Sequence, residues 1–334
     1  MKTAVVILNW NTKGFLEKFL PGLLASVEGM DAEVIVADSA STDGSRELLR
    51  EQFPAVRRIE LAENFGFTGG YNRALNALDA EYYVLINTDV EVPAGWLEPL
   101  VTYMDAHPEC GACGPKLLSY NARDSFEYAG AAGGYIDRYG YPFCRGRILG
   151  KVARDNGQFD GGPKDVFWIS GACLLVRSSL WKALGGLDDR FFAHFEEIDL
   201  CWRLQLAGYR VTCIPASKVW HVGGGTLPQG SPFKLKLNFR NNLLMLENNL
   251  PATIGRRKAR SRIFIRKVLD GCAALGYLLT FRWSSCKAVW EAHREYRVLR
   301  TQRPAAPDGI ASVQGYWQGF LMLGGKKLRQ TQLS

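Results

Sequence analysis

Polar residues close one short apolar run after another in this chain. Asn9-Trp10-Asn11 follows Thr3 to Leu8, Asp38 follows Glu33 to Ala37, Glu63-Asn64 follows Val56 to Leu61, and Asn87-Thr88-Asp89 follows Tyr82 to Ile86. Later, Glu196-Glu197 with Asp199 opens a helical pattern and His221 closes another apolar run. A turn aspartate such as Asp89 can share Mg2+ or Mn2+ with the oxygens of a bound phosphate, because these ions take few protein ligands and keep room for substrate. As a solvated turn residue it would do nothing. A carboxylate such as Glu197 can take a proton from a hydroxyl, or simply favour a helix start. A dinucleotide or ATP site would need a glycine-rich cradle. The turn Asn9 to Phe15 has one glycine, and no Gly-x4-Gly-Lys-Ser/Thr occurs.

These residues need a frame that brings them together. The run Thr3 to Leu8 reads as a strand buried on both faces, Phe15 to Val27 as a helix, and Glu33 to Ala37 as a second strand. Ser41 to Ser45 caps a helix running through Phe53, Gly69 to Leu78 is another helix, and Tyr82 to Ile86 a fourth strand. That alternation predicts an α/β protein with a mostly parallel central sheet flanked by helices. Ligands of such sheets bind beyond the carboxyl ends of the strands, where the polar clusters fall. Residues 118–164 read as long Gly- and Tyr-rich loops. A helix is expected at 178–184 and another at 196–207, with a strand at 209–215. Asp199 and Arg203 have the spacing of a helical ion pair.

The 334 residues include 41 Lys+Arg and 33 Asp+Glu, and 47% are hydrophobic, which excludes a disordered or collagen-like chain. The charge is uneven. Residues 1–233 carry 22 basic against 28 acidic residues, and residues 234–334 carry 19 against 5. This shift marks two regions, a 1–233 body and a 234–334 basic amphipathic helical region. The absence of a leader-like or membrane-spanning run leads us to expect a cytoplasmic protein with eight free thiols. His107, Cys110 and Cys113 have spacing that can seed a zinc site, or they belong to a short core strand.

Four ordered blocks resemble the family 2 inverting glycosyltransferases of GT-A fold. They are Val5-Val-Ile-Leu-Asn-Trp-Asn11, Val36-Ala-Asp-Ser-Ala-Ser-Thr-Asp-Gly-Ser45, Glu63-Asn-Phe-Gly-Phe-Thr-Gly-Gly-Tyr-Asn-Arg73 leading to Leu85-Ile-Asn-Thr-Asp-Val-Glu91, and Ser170-Gly-Ala-Cys-Leu-Leu-Val-Arg177 followed by Phe191-Phe-Ala-His-Phe-Glu-Glu-Ile-Asp-Leu-Cys-Trp-Arg203. They span roughly residues 4–225 and most resemble the bacterial rhamnosyltransferase-like branch that builds cell-surface polysaccharide. The resemblance implies that Asp38 accepts a hydrogen bond from a uracil or thymine ring, with Asn9 and Asn11 in the same pocket. It implies that Asn64, Gly69, Asn72 and Asn87 approach ribose and diphosphate, with the helix near Gly69 aiming its N–H groups at phosphate. Asp89 and His221 are the implied metal ligands, with Asn87 standing where the family's Asp-x-Asp motif has its first acid. Ser170, Gly171, Ala172 and Glu196 are implied to bed the donor sugar. Glu197 aligns with the catalytic base.

The resemblance thus implies transfer of a sugar from a UDP- or dTDP-linked donor, dTDP-rhamnose among them, to a glycan or lipid-linked acceptor, with a divalent cation as cofactor. A degenerate member that binds nucleotide-sugar or membrane without transfer is the alternative. The tail Gly255 to Lys267 interleaves Arg and Lys with apolar residues, and large apolar residues follow to Trp283. Such a pattern suits the anionic inner face of a membrane more than nucleic acid, for which no recognition motif is present. It also suits a helical cap with a solvated basic face.

Overall fold

The structure is a computed structural model that describes residues 1–223, 230–301 and 311–323. Its first half alternates as expected. Strands β1 (Thr3–Asn9), β2 (Ala32–Ser39), β3 (Arg57–Leu61) and β4 (Tyr82–Ile86) are linked by helices α1 (Lys13–Ala25), α2 (Ser45–Glu51) and α3 (Gly66–Asn76). β1 pairs in parallel with both β2 and β4, and β2 with β3. Successive side chains of a strand point to opposite faces. Accordingly Ala4, Val6, Ile35, Ala37, Tyr83 and Leu85 enter one core, whereas Val5, Ile7, Val34, Val36, Val84 and Ile86 enter another. A sheet apolar on both faces must be covered on both, which the helices do.

The short strand β5 (Val90–Glu91), helix α4 (Glu98–Ala106) and strand β6 (Cys110–Ser119) come next. The strand Cys173–Arg177 lies antiparallel between β4 and β6, and the long strand Arg210–His221 runs parallel to β6 with a bulge between Ile214 and Lys218. The antiparallel insertion matters for placement: Cys173 starts opposite Ile86, so Ser170 to Ala172 lie at the edge where β4 ends. His221 pairs with Val90 and so reaches the same edge. Cys110 and Cys113 are buried in β6 and His107 meets Glu109, so this spacing builds core rather than a zinc site.

The region expected to be loops holds a small second sheet. Gly134–Asp137, Pro142–Cys144, Arg147–Ile148 and Lys151–Val152 form an antiparallel run, and Tyr316–Trp317 joins Gly134–Asp137 in parallel. Strands of two to four residues carry too little alternation to be read from sequence. Gly134 is obligatory here, since a Cβ would sit 1.9 Å from the Trp168 ring.

After α5 (Ser178–Leu184) and α6 (Glu196–Leu206), the chain ends in three long helices, α7 (Pro232–Ile254), α8 (Arg256–Leu279) and α9 (Trp283–Leu299). The charge shift near residue 233 coincides with the start of α7, but α7 is not a surface appendage. Leu243, Leu244, Met245, Leu246 and Leu250 share the core that holds Leu200 and Trp202 of α6. Trp202 Nε1 donates to Thr253 Oγ1 at 2.8 Å. Asp199 accepts from Arg203 Nε at 2.7 Å, as the helical spacing predicts, and from Asn249 Nδ2 at 2.7 Å.

Leu246→Ala is expected to destabilise the whole chain by about 2–5 kcal/mol, the usual cost of emptying a fully buried leucine site. Urea unfolding measures it. A cost well under about 1 kcal/mol would place α7 outside the cooperative core.

Candidate functional site

The carboxyl edge of the sheet begins with a closed polar knot. Asn9 Nδ2 donates to Asp38 Oδ2 at 2.7 Å and to Ser41 Oγ at 3.0 Å, and Thr12 donates to Asn9 Oδ1. Asp38 Oδ1 accepts from Ser41 N at 2.9 Å and Arg46 Nε at 2.6 Å. Burial opposes charge on Asp38, but Ser41, Arg46 and Asn9 outweigh it and hold the carboxyl below its ordinary range. Asp38 is only 1% exposed. Through these bonds Asp38 and Asn9 organise the loop after β2. Asn11, at φ 53°, does the same from outside, accepting from Thr42 N at 2.7 Å. The group this knot presents to solvent is Trp10, 38% exposed between the two asparagines.

Next along the edge, Asp89 and His221 meet as expected. His221 Nε2 lies 3.1 Å from Asp89 Oδ1, and Gly223 N donates to Asp89 Oδ2 at 3.1 Å. Asn87 Nδ2 stands 3.4 Å from His221 Nε2, and its own N–H donates to Ala172 O. On the other side of the imidazole, Glu127 Oε1 is 3.5 Å from Nδ1. Burial lowers the pKa of His221, but the two carboxylates more than reverse this and raise it to about 10. Glu127 was not foreseen: it sits in the segment read as loops, and nothing in its local sequence distinguishes it.

The third part is the loop leading into α6. Phe192, His194 and Phe195 have φ of 64°, 73° and 72°, a left-handed region that residues with side chains seldom occupy. Asn241 Nδ2 of α7 reaches the carbonyls of Phe191, Ala193 and His194, and Arg240 Nη2 reaches those of Arg190 and Phe191. The loop delivers Glu196 and Glu197 to the first turn of α6. A Cβ on Gly171 would lie 3.5 Å from Glu197 Cβ, so the glycine leaves the glutamate a bare backbone neighbour. Among the described residues, His194 Nε2, Glu196 Oε2, Glu197 Oε2 and Trp220 Nε1 are buried without a hydrogen-bond partner. Buried polar atoms are normally paired, so this group is built to meet something else. Desolvation raises the pKa of Glu197 to about 7 and that of Glu196 well above the ordinary range, with Glu197 adding to the latter. Burial and Lys234 lower that of His194 to about 4, leaving it neutral. His194 stands among aromatic residues in the sequence, where nothing in its spacing marks it.

One further expectation is corrected. Helix α3 starts at Gly66, not near Gly69, and its first N–H groups are taken: Gly66 donates to Asn64 Oδ1, while Phe67 and Thr68 donate to Phe192 O. They cannot cradle phosphate. Gly69 packs under Phe65 and Arg73, where a Cβ would be 2.8 Å from Phe65 Cβ. Asn72 spends its amide on Leu187, by both N–H and C=O, and on Asp189 Oδ1 at 2.6 Å. Asn64, Gly69 and Asn72 thus fix loop geometry. Ser170 is buried, its Oγ accepting from Ala172 N at 3.3 Å; Gly171 and Ala172 lie between Glu197 and Asn87.

Asp89 and His221, with Glu127 behind them, fit a hard divalent cation in donor type: a carboxylate oxygen and an imidazole nitrogen already held together, with the proton between them as the competitor.

A family model described as "Glycosyl transferase family 2" matches residues 4–182. The chain is 30% identical over 235 residues to the N-acetylglucosaminyl-diphospho-decaprenol L-rhamnosyltransferase of Mycobacterium tuberculosis, covering 65% of this chain and 75% of that one. It is 27% identical to the O-antigen biosynthesis protein RfbC of Myxococcus xanthus, over 66% of this chain and 17% of the other. Among solved structures, it resembles GalNAc-T7 with UDP, GalNAc and Mn2+ at TM-score 0.56 and 16% identity, covering 74% of this chain and about half of that protein, 48%. It resembles the mannosyltransferase PcManGT from Pyrobaculum calidifontis, in complex with GDP-Man and Mn2+, at TM-score 0.54 and 16% identity, over 90% and 87% of the two chains.

Because the His221 value is raised above that of a free imidazole, its ion pair with Asp89 contributes stability fully below about pH 6.5, lost as pH rises through about 10. Mn2+ taken up by His221 near neutral pH must therefore expel about one proton per ion. Calorimetry in buffers of different ionisation enthalpy reads that proton. Uptake without proton release would remove His221 as a ligand, and Asp89→Asn should weaken Mn2+ binding by an order of magnitude or more.

Proposed function

The chain belongs to glycosyl transferase family 2 and has the GT-A fold; from that premise we propose that it moves one sugar, with inversion, from a dTDP- or UDP-linked donor to a glycan carried on a lipid diphosphate. The observation that carries the mechanism is Glu197, half-buried beside Gly171, with its Oε2 buried and unpartnered among the described residues and its pKa raised to about 7. The name of the mycobacterial relative supports L-rhamnose as the sugar moved and a diphospho-decaprenol-linked sugar as acceptor. The name of the Myxococcus relative supports a place in cell-surface polysaccharide assembly.

Glu197 takes the proton of the acceptor hydroxyl as that oxygen forms its bond to the anomeric carbon. The bond from that carbon to the diphosphate oxygen breaks on the opposite face, and its electron pair leaves with the nucleoside diphosphate. A base with a value near the working pH is half ionised there and still basic enough to accept the proton. Asp89 and His221, with Asn87 beside them, would hold Mg2+ or Mn2+, which when bound neutralises charge on the departing diphosphate. Trp10 offers a face on which a base ring can stack, with Asp38 and Asn9 fixing the loop beneath it. Burial and the neighbouring Glu197 push the Glu196 carboxyl towards its protonated form, in which it can donate to a donor-sugar oxygen.

Glu197→Gln is expected to lower kcat by about 10²–10⁴-fold, the range for loss of a general base, with donor affinity within about twofold of the original. In the unaltered protein kcat/KM should rise with pH and level off above about 7 as Glu197 ionises. Unchanged turnover in the variant would exclude Glu197 as the base. Titration of dTDP- and UDP-sugars by calorimetry identifies the donor, and a failure of all of them to bind would overturn the donor class.

A further inference from the structure

The outer faces of α8 and α9 are unlike the rest of the surface. Phe264, Val268, Leu275 and Leu279 recur at four- and seven-residue intervals down one side of α8, and Phe281 and Trp283 continue the stripe round the turn into α9. All six are exposed; Leu279 is 70%, Phe281 78% and Trp283 60% accessible. Trp290 continues the exposure two turns along α9. Single exposed apolar residues are ordinary, but a contiguous run of large ones marks a surface with a partner.

Charge identifies the kind of partner. Residues 256–299 contain eleven Lys or Arg and three Asp or Glu. Two of the three acids are turned inward: Asp270 is buried against Arg266 and His293, and Glu295 pairs with Lys236 and Arg240 of α7. Arg257, Arg260, Arg282, Lys287 and Arg294 are exposed alongside the apolar stripe, and the Arg294 guanidinium lies 5.1 Å from the Trp290 ring centroid. The centre of a protein–protein interface is usually depleted in charge, whereas cations interleaved with large apolar groups match the headgroup and acyl layers of an anionic bilayer. Among the described residues no helix is long and apolar enough to cross a membrane, so the contact is along a surface.

We infer that the α8–α9 hairpin is a membrane-docking element, with the Phe264–Leu279 stripe and the Phe281–Trp283 turn buried in the interfacial layer of an anionic phospholipid bilayer and the flanking Arg and Lys on its phosphates. The hairpin is fastened to the site. α9 ends at Leu299, whose carbonyl accepts from Arg190 Nη1 at 3.0 Å, and Arg190 belongs to the loop that α7 holds ahead of Glu197. With about 1.5 Å per residue, the turn lies roughly 25 Å along α9 from that point. Docking therefore sets the site at a fixed height above the lipid. The inference rests on this surface alone and stands whichever sugar is transferred.

The test uses the full chain without donor or acceptor. It should sediment with phosphatidylcholine vesicles containing one-third phosphatidylglycerol and not with phosphatidylcholine alone, and added salt should weaken binding. The triple variant Leu279→Ser, Phe281→Ser, Trp283→Ser should bind at least about tenfold less while keeping the unaltered urea midpoint, since all three positions are exposed. A fluorophore on Cys272, an exposed thiol in α8, should be quenched by brominated lipid in the unaltered chain. Equal binding by the triple variant, or no preference for anionic vesicles, would overturn the inference. So would self-association by light scattering that the same variant abolishes, which would assign the face to a second copy of the chain. Because no sugar transfer is measured, failure here is distinct from failure of the donor or acceptor assignment.

Discussion

The site depends on one awkward piece of backbone, the turn from Phe192 to Phe195. Three of its residues hold positive φ despite their side chains, at a cost of order 1–3 kcal/mol each. Nothing local favours this. What holds the turn is Asn241, reaching from α7 to the carbonyls of Ala193 and His194, Arg240 on those of Arg190 and Phe191 just before it, and α3, whose Phe67 and Thr68 N–H groups close on Phe192 O. The same contacts that strain the loop aim Glu196 and Glu197 at the sheet edge. Stored strain, the capped start of α3 and the position of α7 are one constraint seen from three sides.

Around that edge, chemically similar groups are driven to different protonation states by their surroundings. Asp38 is buried but surrounded by donors, and stays ionised. Glu197 has a buried oxygen left unpartnered among the described residues, and its proton is held to near neutrality. His221, between two carboxylates, is kept cationic, whereas His194, near Lys234 and desolvated, is kept neutral. In each case the deciding quantity is whether burial comes with a compensating partner. Among the described residues, Glu197 combines a proton affinity near the working range with an oxygen left without a partner, and it is the group a proton transfer would use.

Much of this was legible in sequence, for a physical reason. The parallel half of the sheet is written in short, nearly unbroken apolar runs, each stopped by the polar residue that marks the strand end, so Asp38, Asp89 and the strands carrying them could be placed together. Asp199 and Arg203 were readable because helical spacing brings them into contact. What could not be read were contacts made by residues far apart in the chain. How Asp38 is held depends on Arg46 and Asn9 closing over it. Whether Asn72 is free depends on Leu187 and Asp189, more than a hundred residues away. Glu127 is legible only once the small second sheet is known to fold back on His221, and that sheet is too finely divided to leave a periodic trace. The shift in charge near residue 233 was real, but burial of the α7 leucines, not charge, decides what that helix belongs to.

The grip of α7 on the active loop also has a consequence for the order in which the molecule is made. His194 waits for Asn241, which follows it by 47 residues. A chain emerging from a ribosome can pair β1 to β4 and close the Asp38 knot early, since those partners are near in sequence. Its loop before Glu197 cannot take up its strained shape until Asn241, in the first half of α7, has appeared. Glu197 is therefore assembled last, so a nascent chain can hold its sheet before it can do chemistry. Slow steps in the folding of this protein belong at the α6–α7 junction rather than in the sheet.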